Sequence, residues 1–146
     1  MSVKRKVTYK LYPSKRQAAS LLVILRLHQQ LYNAALEHRI GAYKKAGKSI
    51  VFFEQCAELT VLRKEIESSD QLNAQSCQVT LKRLDLAFQA FFRRIKKGDK
   101  RAGFPRFKSL NRYAGFGFKT HGDGWKLEAG QDNKHGMLRI SGVRPH

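Results

Sequence analysis

The side chains that could carry acid–base or metal chemistry are spread along this 146-residue chain without forming a recognisable active site. Asp85 lies inside a helical pattern next to Arg83, where we predict an ordinary surface charge. Four other acids fall along one predicted helix and are expected to form its solvated face: Glu54, Glu58, Glu65 and Glu67. The carboxylates therefore give no catalytic pair.

Histidine and cysteine do not point to a metal site either. The five histidines include no His-x-x-x-His pair with an acid between its members. Cys56 and Cys77 form no Cys-x-x-Cys pair, which excludes a zinc ribbon, and we predict reduced thiols packed in a core. Phosphate-binding glycine loops and Gly-x-Ser-x-Gly elbows are also missing from the sequence. We therefore expect no metal, no cofactor and no catalytic activity of this chain.

The charge balance points instead to binding. Lys and Arg number 29 against 11 Asp and Glu, a net charge of +18 with a pI near 10.4. Such a surplus opposes compaction unless a polyanion offsets it, and nucleic acid is the usual partner of a domain this basic. The sequence contains no apolar stretch long enough to span a bilayer and does not begin as a signal peptide. These features predict a soluble cytoplasmic protein, associated with the nucleoid and not with a membrane.

The cations are concentrated at the two ends of the chain. Residues 1–50 hold eleven basic residues and one acid, and residues 93–146 hold fourteen and four. Residues 51–92 hold four basic residues and six acids. This distribution predicts that two basic flanks meet on one polyanion, while a helical centre is turned partly away from it.

The densest basic stretch, residues 93–108, alternates cations with the aromatics Phe104 and Phe107. Lys and Arg neutralise phosphates and release counterions, which gives affinity without sequence information. The two phenylalanines either stack on bases or anchor the loop, and composition leaves both readings open. A merely solvated loop is a third reading. The same ambiguity applies to the aromatics of the following region: Tyr113, Phe116, Phe118 and Trp125.

The first part of the chain combines a strand pattern with a long helix pattern. Residues 3–12 alternate apolar and basic side chains, which predicts a half-buried strand that Pro13 ends. Ser14 and Gln17 form a capping box, and the helical pattern runs from Lys15 to about Lys45 before Gly47. A helix of about thirty residues is long, which makes a bend near residues 28–30 an expectation.

Two further helices and a set of strands follow. We predict a helix over residues 52–65, broken at 68–70, and a third helix that Asn73 caps. The third helix carries a seam whose phenylalanines are predicted to be core: Cys77, Leu81, Leu84, Phe88, Phe91 and Ile95. Short strands are predicted at 115–120, 125–127 and 137–141. Because a lone strand cannot bury its face, we expect the N-terminal strand to pair with these, giving an α+β fold in which helices interrupt a small β domain.

Within the basic stretch, Gly103-Phe-Pro-Arg-Phe-Lys closely resembles the hallmark segment of the TnpB (OrfB) family of insertion-sequence transposon proteins. Other segments resemble family motifs in the same order: Tyr9-Lys-Leu-Tyr-Pro-Ser, Tyr32-Asn33, Glu58-Leu-Thr with Leu62, Leu81-Lys-Arg-Leu-Asp-Leu-Ala-Phe-Gln-Ala-Phe-Phe, and Gly136-Met-Leu-Arg-Ile-Ser-Gly. The ordered set is specific, although any single short motif would be weak.

The resemblance implies a β-barrel-like wedge domain built from residues 1–13 and 103–146, interrupted by a three- to four-helix recognition bundle at 14–102. In the family these parts grip a guide RNA and a target duplex. The family's catalytic carboxylates and zinc cysteines lie downstream, and we expect this chain to end before them. Arg144-Pro-His does not continue the expected strand.

Candidate nucleic-acid contacts follow from the resemblance and from the basic stretch. Phosphate and sugar contacts are the expected role of the cations, while Gln78 near a helix start is a candidate to read a base edge. The predicted set is Lys4, Lys6, Lys10, Gln78, Lys82, Arg93, Arg94, Lys96, Lys97, Arg101, Arg106, Phe107 and Lys108.

These features predict a nucleic-acid-binding N-terminal fragment of a transposon-encoded RNA-guided DNA endonuclease. Its expected partners are guide RNA, double-stranded DNA, and the missing nuclease portion or a transposase. Two alternatives stay open: a stand-alone helix-turn-helix regulator formed after Pro13, and a decayed transposase remnant that binds polyanions without selection. The acidic second helix fits a major groove poorly, which weakens the regulator reading.

Overall fold

The computed structural model describes residues 4–64, 66, 72–132 and 134–144. Four helices precede two strands, with a 3-10 turn at Leu110–Arg112 between them. The helices are α1 (Lys15–Ala46), α2 (Phe52–Ala57), α3 (Leu59–Lys64) and α4 (Ala74–Lys96). The strands are β1 (Trp125–Ala129) and β2 (Gly136–Ile140). The predicted α+β class is confirmed.

Helix α1 begins and ends at the predicted residues. The Ser14 side chain accepts from the Gln17 backbone, and the Gln17 side chain accepts from the Ser14 backbone, so the capping box is complete. Gly47 ends the helix in the left-handed conformation, with φ of 61°, which glycine adopts without strain. The helix runs without interruption from Lys15 to Ala46, and a bend near residues 28–30 stays a prediction.

Helix α4 confirms the predicted seam, whereas the second predicted helix is divided in two. Asn73 caps α4 by accepting from the Ser76 backbone. Its seam is buried from Cys77 to Phe91, but Ile95 is 44% exposed at the basic end. Glu58 interrupts the second helix between α2 and α3.

Helices α1 and α4 pack in parallel, and their contacts advance together along both helices. The contacting pairs are His28 with Thr80, Arg39 with Asp85, and Tyr43 with Phe92. Two parallel neighbours need a long crossover, which residues 47–73 provide. As a result, the C-terminal ends of both long helices lie at the same pole of the bundle.

A buried ion pair joins the two long helices at mid-length. Arg39 Nη2 lies 2.9 Å from Asp85 Oδ1, and both side chains are nearly inaccessible to solvent. Gln55 accepts from Arg39 Nε at 2.6 Å, and Gln89 donates to Asp85 Oδ2 at 2.6 Å. The prediction of Asp85 as a surface charge is wrong. It lies one turn after Leu81, on the face of α4 that meets α1.

After α4 the chain returns along the groove between the long helices. We call residues 102–118 the strap. Phe104 contacts Tyr43 near the C-terminal ends of the helices, and Phe116 stacks on His28 farther back. The predicted strand at 115–120 is wrong, because helix side chains take its backbone acceptors. Arg83 donates to the Gly115 carbonyl at 2.6 Å, and Ser76 donates to the Gly117 carbonyl at 2.7 Å.

The sheet is a two-stranded antiparallel hairpin and not a closed barrel, so that prediction is wrong. Its register pairs Trp125 with Ile140 and Ala129 with Gly136. The predicted N-terminal strand is also wrong over residues 4–12, which form no strand. A groove of about 560 Å³, lined by residues 10–14 on one side and by β2 on the other, lies between them. The alternating side chains consequently stay exposed, with Val7 at 61% and Tyr9 at 74%.

Some predictions fall on residues that the structure does not describe: Val3, Glu65, Glu67, the break at 68–70, and His146. The domain boundaries at residues 13 and 103 stay a prediction.

Removing one partner of the buried ion pair tests how far the helix packing depends on it. Asp85→Ala leaves the Arg39 guanidinium buried without its carboxylate, which we expect to lower the free energy of unfolding by about 3–5 kcal/mol. Urea unfolding measures this. Glu37→Ala, at an exposed acid of α1, is the control and should change stability by less than about 0.5 kcal/mol. A loss of under about 1 kcal/mol for Asp85→Ala would contradict the role of the pair.

Candidate nucleic-acid interface

The strap is held most firmly at Lys108. The side chains of Gln29 and Asn33 donate to its carbonyl oxygen at 2.8 and 2.9 Å, and its amide donates to Asn33 Oδ1 at 3.0 Å. Its ammonium lies 5.7 Å from the centre of the Tyr32 ring. The backbone of Lys108 is thus held on α1.

The two phenylalanines of the basic stretch have different surroundings. Phe104 is half-buried, with its ring centroid 5.0 Å from that of Phe91 and 5.7 Å from that of Tyr43. Phe104 therefore anchors the loop. Of the two roles that composition left open, stacking on bases or anchoring, the structure supports anchoring for this residue. Phe107 is 57% exposed and remains a candidate for stacking on bases.

We call residues 93–108 the basic segment. It holds eight cations and one acid, Asp99. Every cation in it except the half-buried Lys108 is exposed: Arg93, Arg94, Lys96, Lys97, Lys100, Arg101 and Arg106. The predicted contacts from Arg93 to Arg106 are thus exposed cations of one continuous chain segment, whereas Lys108 is half-buried.

Sequence reasoning missed the cations that end α1. Lys44, Lys45 and Lys48 are exposed at the same pole as the basic segment. The Lys44 ammonium lies 5.9 Å from the centre of the Phe104 ring, and Lys48 pairs with Glu54 at 3.3 Å. These residues stand out only after α1 and α4 are known to run in parallel, and the sequence pattern does not reveal helix orientation.

The predicted contacts on the N-terminal segment lie elsewhere. Lys4, Lys6 and Lys10 are exposed and precede the start of α1. Helix α1 has 32 residues, so its two ends are roughly 48 Å apart. These lysines therefore lie toward the opposite end of α1 from the cations that end α4.

The predicted contacts on α4 have partners within the protein. Gln78 accepts from the Lys119 ammonium at 2.8 Å, which occupies its amide oxygen. The Lys82 ammonium lies 5.0 Å from the centre of the Phe52 ring and 3.8 Å from Asp85 Oδ2. Both residues lie on α4 before the basic segment, and their contact with nucleic acid stays a prediction.

A buried histidine fixes the far end of the strap. His28 Nδ1 lies 2.7 Å from Thr80 Oγ1 and its Nε2 lies 3.1 Å from Ser76 Oγ. Its ring stacks on Phe116 with centroids 5.1 Å apart. Burial, reinforced by the Arg83 charge, lowers the His28 pKa to about 4. The ring is therefore neutral at physiological pH.

The two cysteines lie in or beside the helical core. Cys56 is half-buried and Cys77 buried, and both are free thiols. Burial raises the Cys77 pKa to about 11, which keeps this thiol protonated. Among the described residues, no cluster of three or more His, Cys, Asp or Glu side chains is arranged to hold a metal ion. Nor does any helix within the described ranges have the length and hydropathy to cross a membrane.

The sequence is similar to that of known proteins. The helix-turn-helix domain of the OrfB (IS605) family matches residues 1–48. The resemblance to the TnpB (OrfB) family is confirmed. A protein of Streptomyces pristinaespiralis named "Putative RNA-guided DNA endonuclease" is 32% identical over 109 residues, which cover 73% of this chain. The match covers 26% of that relative, so the chain spans about a quarter of its length.

The matched range has a simple structure here. Within residues 4–48, the extended N-terminal segment leads directly into the single helix α1. The turn at Gly47 and the next helix, α2, follow at the end of the match. The matched range therefore contains one helix, and the helix that follows it, α2, has only six residues.

The low pKa of His28 predicts a pH dependence of stability. The folded protein binds fewer protons than the unfolded chain between pH 4 and 6.5, so the free energy of unfolding falls as pH falls through this window. We expect a total loss of roughly 3 kcal/mol from this residue. Chemical denaturation at several pH values measures it. His28→Gln should lose this component, whereas His135→Gln, at an exposed histidine, should keep it; equal slopes in both variants would contradict the assignment.

The anchoring of Lys108 predicts a local effect of Asn33→Ala. This change removes both hydrogen bonds of Asn33, and we expect a loss of about 1–3 kcal/mol in stability. Hydrogen exchange at the Lys108 amide should accelerate more than exchange in the middle of α4. Asn111→Ala, at an exposed residue of the strap, should leave that amide unchanged. Unchanged exchange in Asn33→Ala would show that another contact holds the strap.

Proposed function

We propose that this chain binds guide RNA and target DNA as the N-terminal part of a TnpB-like RNA-guided DNA endonuclease. The observation that carries this proposal is the basic segment, which holds eight cations and one acid, exposes seven of the cations, and is anchored to the helices at Phe104 and Lys108. A cationic segment with an anchored backbone suits the phosphate backbone, because less of the chain has to be ordered when the ligand binds. The name of the S. pristinaespiralis relative supports the same class of activity.

The proposed role is binding and not cleavage. Cutting DNA would depend on groups outside this chain, supplied by a nuclease portion or by a transposase partner. The acidic side chains support this division, because Asp85 is bound to Arg39 in the core and Glu54 pairs with Lys48. Those two carboxylates thus have structural partners in place of a metal ion.

A DNA-binding regulator is the second candidate, and the helix-turn-helix match favours it. In such a protein a recognition helix enters the major groove with side chains that reach base edges. Helix α2 carries Glu54 in its first turn, has no basic residue in its last turn and has only six residues. The surface around the basic segment is therefore the better binding site.

Purification with bound nucleic acid tests the proposal. We expect the chain, expressed in its own host and purified at moderate salt, to retain a discrete RNA that maps beside its own gene. Arg93→Gln with Arg94→Gln should reduce the retained RNA at least several-fold, whereas Lys126→Gln with Lys134→Gln, an equal loss of charge on the hairpin, should not.

The other outcomes separate the alternatives. Selection of one duplex from a random DNA pool, with no RNA retained, would favour the regulator. Heterogeneous RNA that both double variants retain equally would contradict a specific site at the basic segment.

A further inference from the structure

The end of α1 faces the same solvent region as the basic segment. Tyr43 and Phe92 lie with ring centroids 6.2 Å apart, and Tyr43 also meets Phe104 at 5.7 Å. The next residues along the two helices are Lys44 and Lys45 on one and Arg93 and Arg94 on the other. The aromatic cluster therefore brings the last turns of the two helices together, and each of these turns carries a pair of exposed cations.

The electrostatics of this pole favour an anion despite the helix dipoles. The C-terminus of each helix carries roughly half a negative charge, so two together contribute roughly one. Residues 41–48 and 93–108 together hold eleven cations and one acid. The cations outweigh the dipoles by a wide margin, and the surplus is not neutralised within these two ranges.

The three lysines at the end of α1 differ in whether they already pair with an acidic side chain. Lys48 already pairs with Glu54. Lys44 and Lys45 are both exposed, and the contact of Lys44 with the Phe104 ring positions its ammonium near the start of the strap. Neither residue is needed for the core, since both lie in the last turn of α1 beyond its buried stripe.

We propose that Lys44 and Lys45 extend the binding surface, so that one phosphodiester backbone crosses the C-terminal ends of α1 and α4 together. The ligand class is nucleic acid contacted through its phosphates, either an RNA stem or a DNA duplex. This inference rests on the proposed function. It adds that α1 contacts the ligand directly and does not only support the strap.

The salt dependence of binding tests the inference, because each phosphate contact contributes about 0.9 to the slope of log K against log salt for duplex DNA. We would measure binding of the full chain to an RNA hairpin and to a DNA duplex of equal length by fluorescence anisotropy. Lys44→Gln with Lys45→Gln should flatten the slope by about one to two and weaken binding several-fold at physiological salt. Arg93→Gln with Arg94→Gln should have an effect of the same size.

Controls separate the possible failures. Lys126→Gln with Lys134→Gln removes the same charge from the hairpin, and circular dichroism confirms that each variant is folded. If the Lys44/Lys45 variant matches this control while the Arg93/Arg94 variant loses affinity, the inference is overturned and the proposed function stands. If the unmodified chain binds neither probe, both fail. Loss with one probe alone supports the inference and identifies the source of the phosphates as RNA or DNA.

Discussion

The parallel packing of α1 and α4 is the constraint on which the rest of the structure depends, and the buried Arg39–Asp85 pair holds it at mid-length. Antiparallel neighbours would place the ends of the two helices at opposite poles. Parallel neighbours bring both C-termini together, and each terminus carries its cations. The cationic pole is therefore a consequence of helix orientation. It also explains the long crossover through α2 and α3, which returns the chain to the starting end of α1.

The strap turns this packing into a defined surface. Its backbone is bonded by side chains of the helices and not by strands, and its aromatic side chains fill the groove between α1 and α4. The helices alone would leave that groove open. Because the contacts at Lys108 and Phe104 lie within or next to the basic segment, folding of the core and placement of the cations are coupled. A backbone that is anchored at these two residues before binding needs less ordering when phosphate arrives.

Sequence patterns predicted the local elements well and the long-range arrangement poorly. Capping at Ser14 and Asn73, the end of α1 at Gly47 and the seam of α4 from Cys77 to Phe91 depend on neighbours within a few residues, and all are confirmed. The predicted strand at 115–120 is wrong because side chains of the helices bond its carbonyl groups. The predicted N-terminal strand is wrong because a groove separates residues 10–14 from β2. The burial of Asp85 and the position of Lys44 depend on helix orientation, which periodicity does not encode.

Photocrosslinking of bound nucleic acid, followed by mass spectrometry of the crosslinked peptides, tests the central claim most directly. The account predicts crosslinks in the peptides that contain Phe107 and in those from the two helix ends at the same pole. Crosslinks confined to the N-terminal segment around Lys6 and Lys10, roughly 48 Å away along α1, would contradict it.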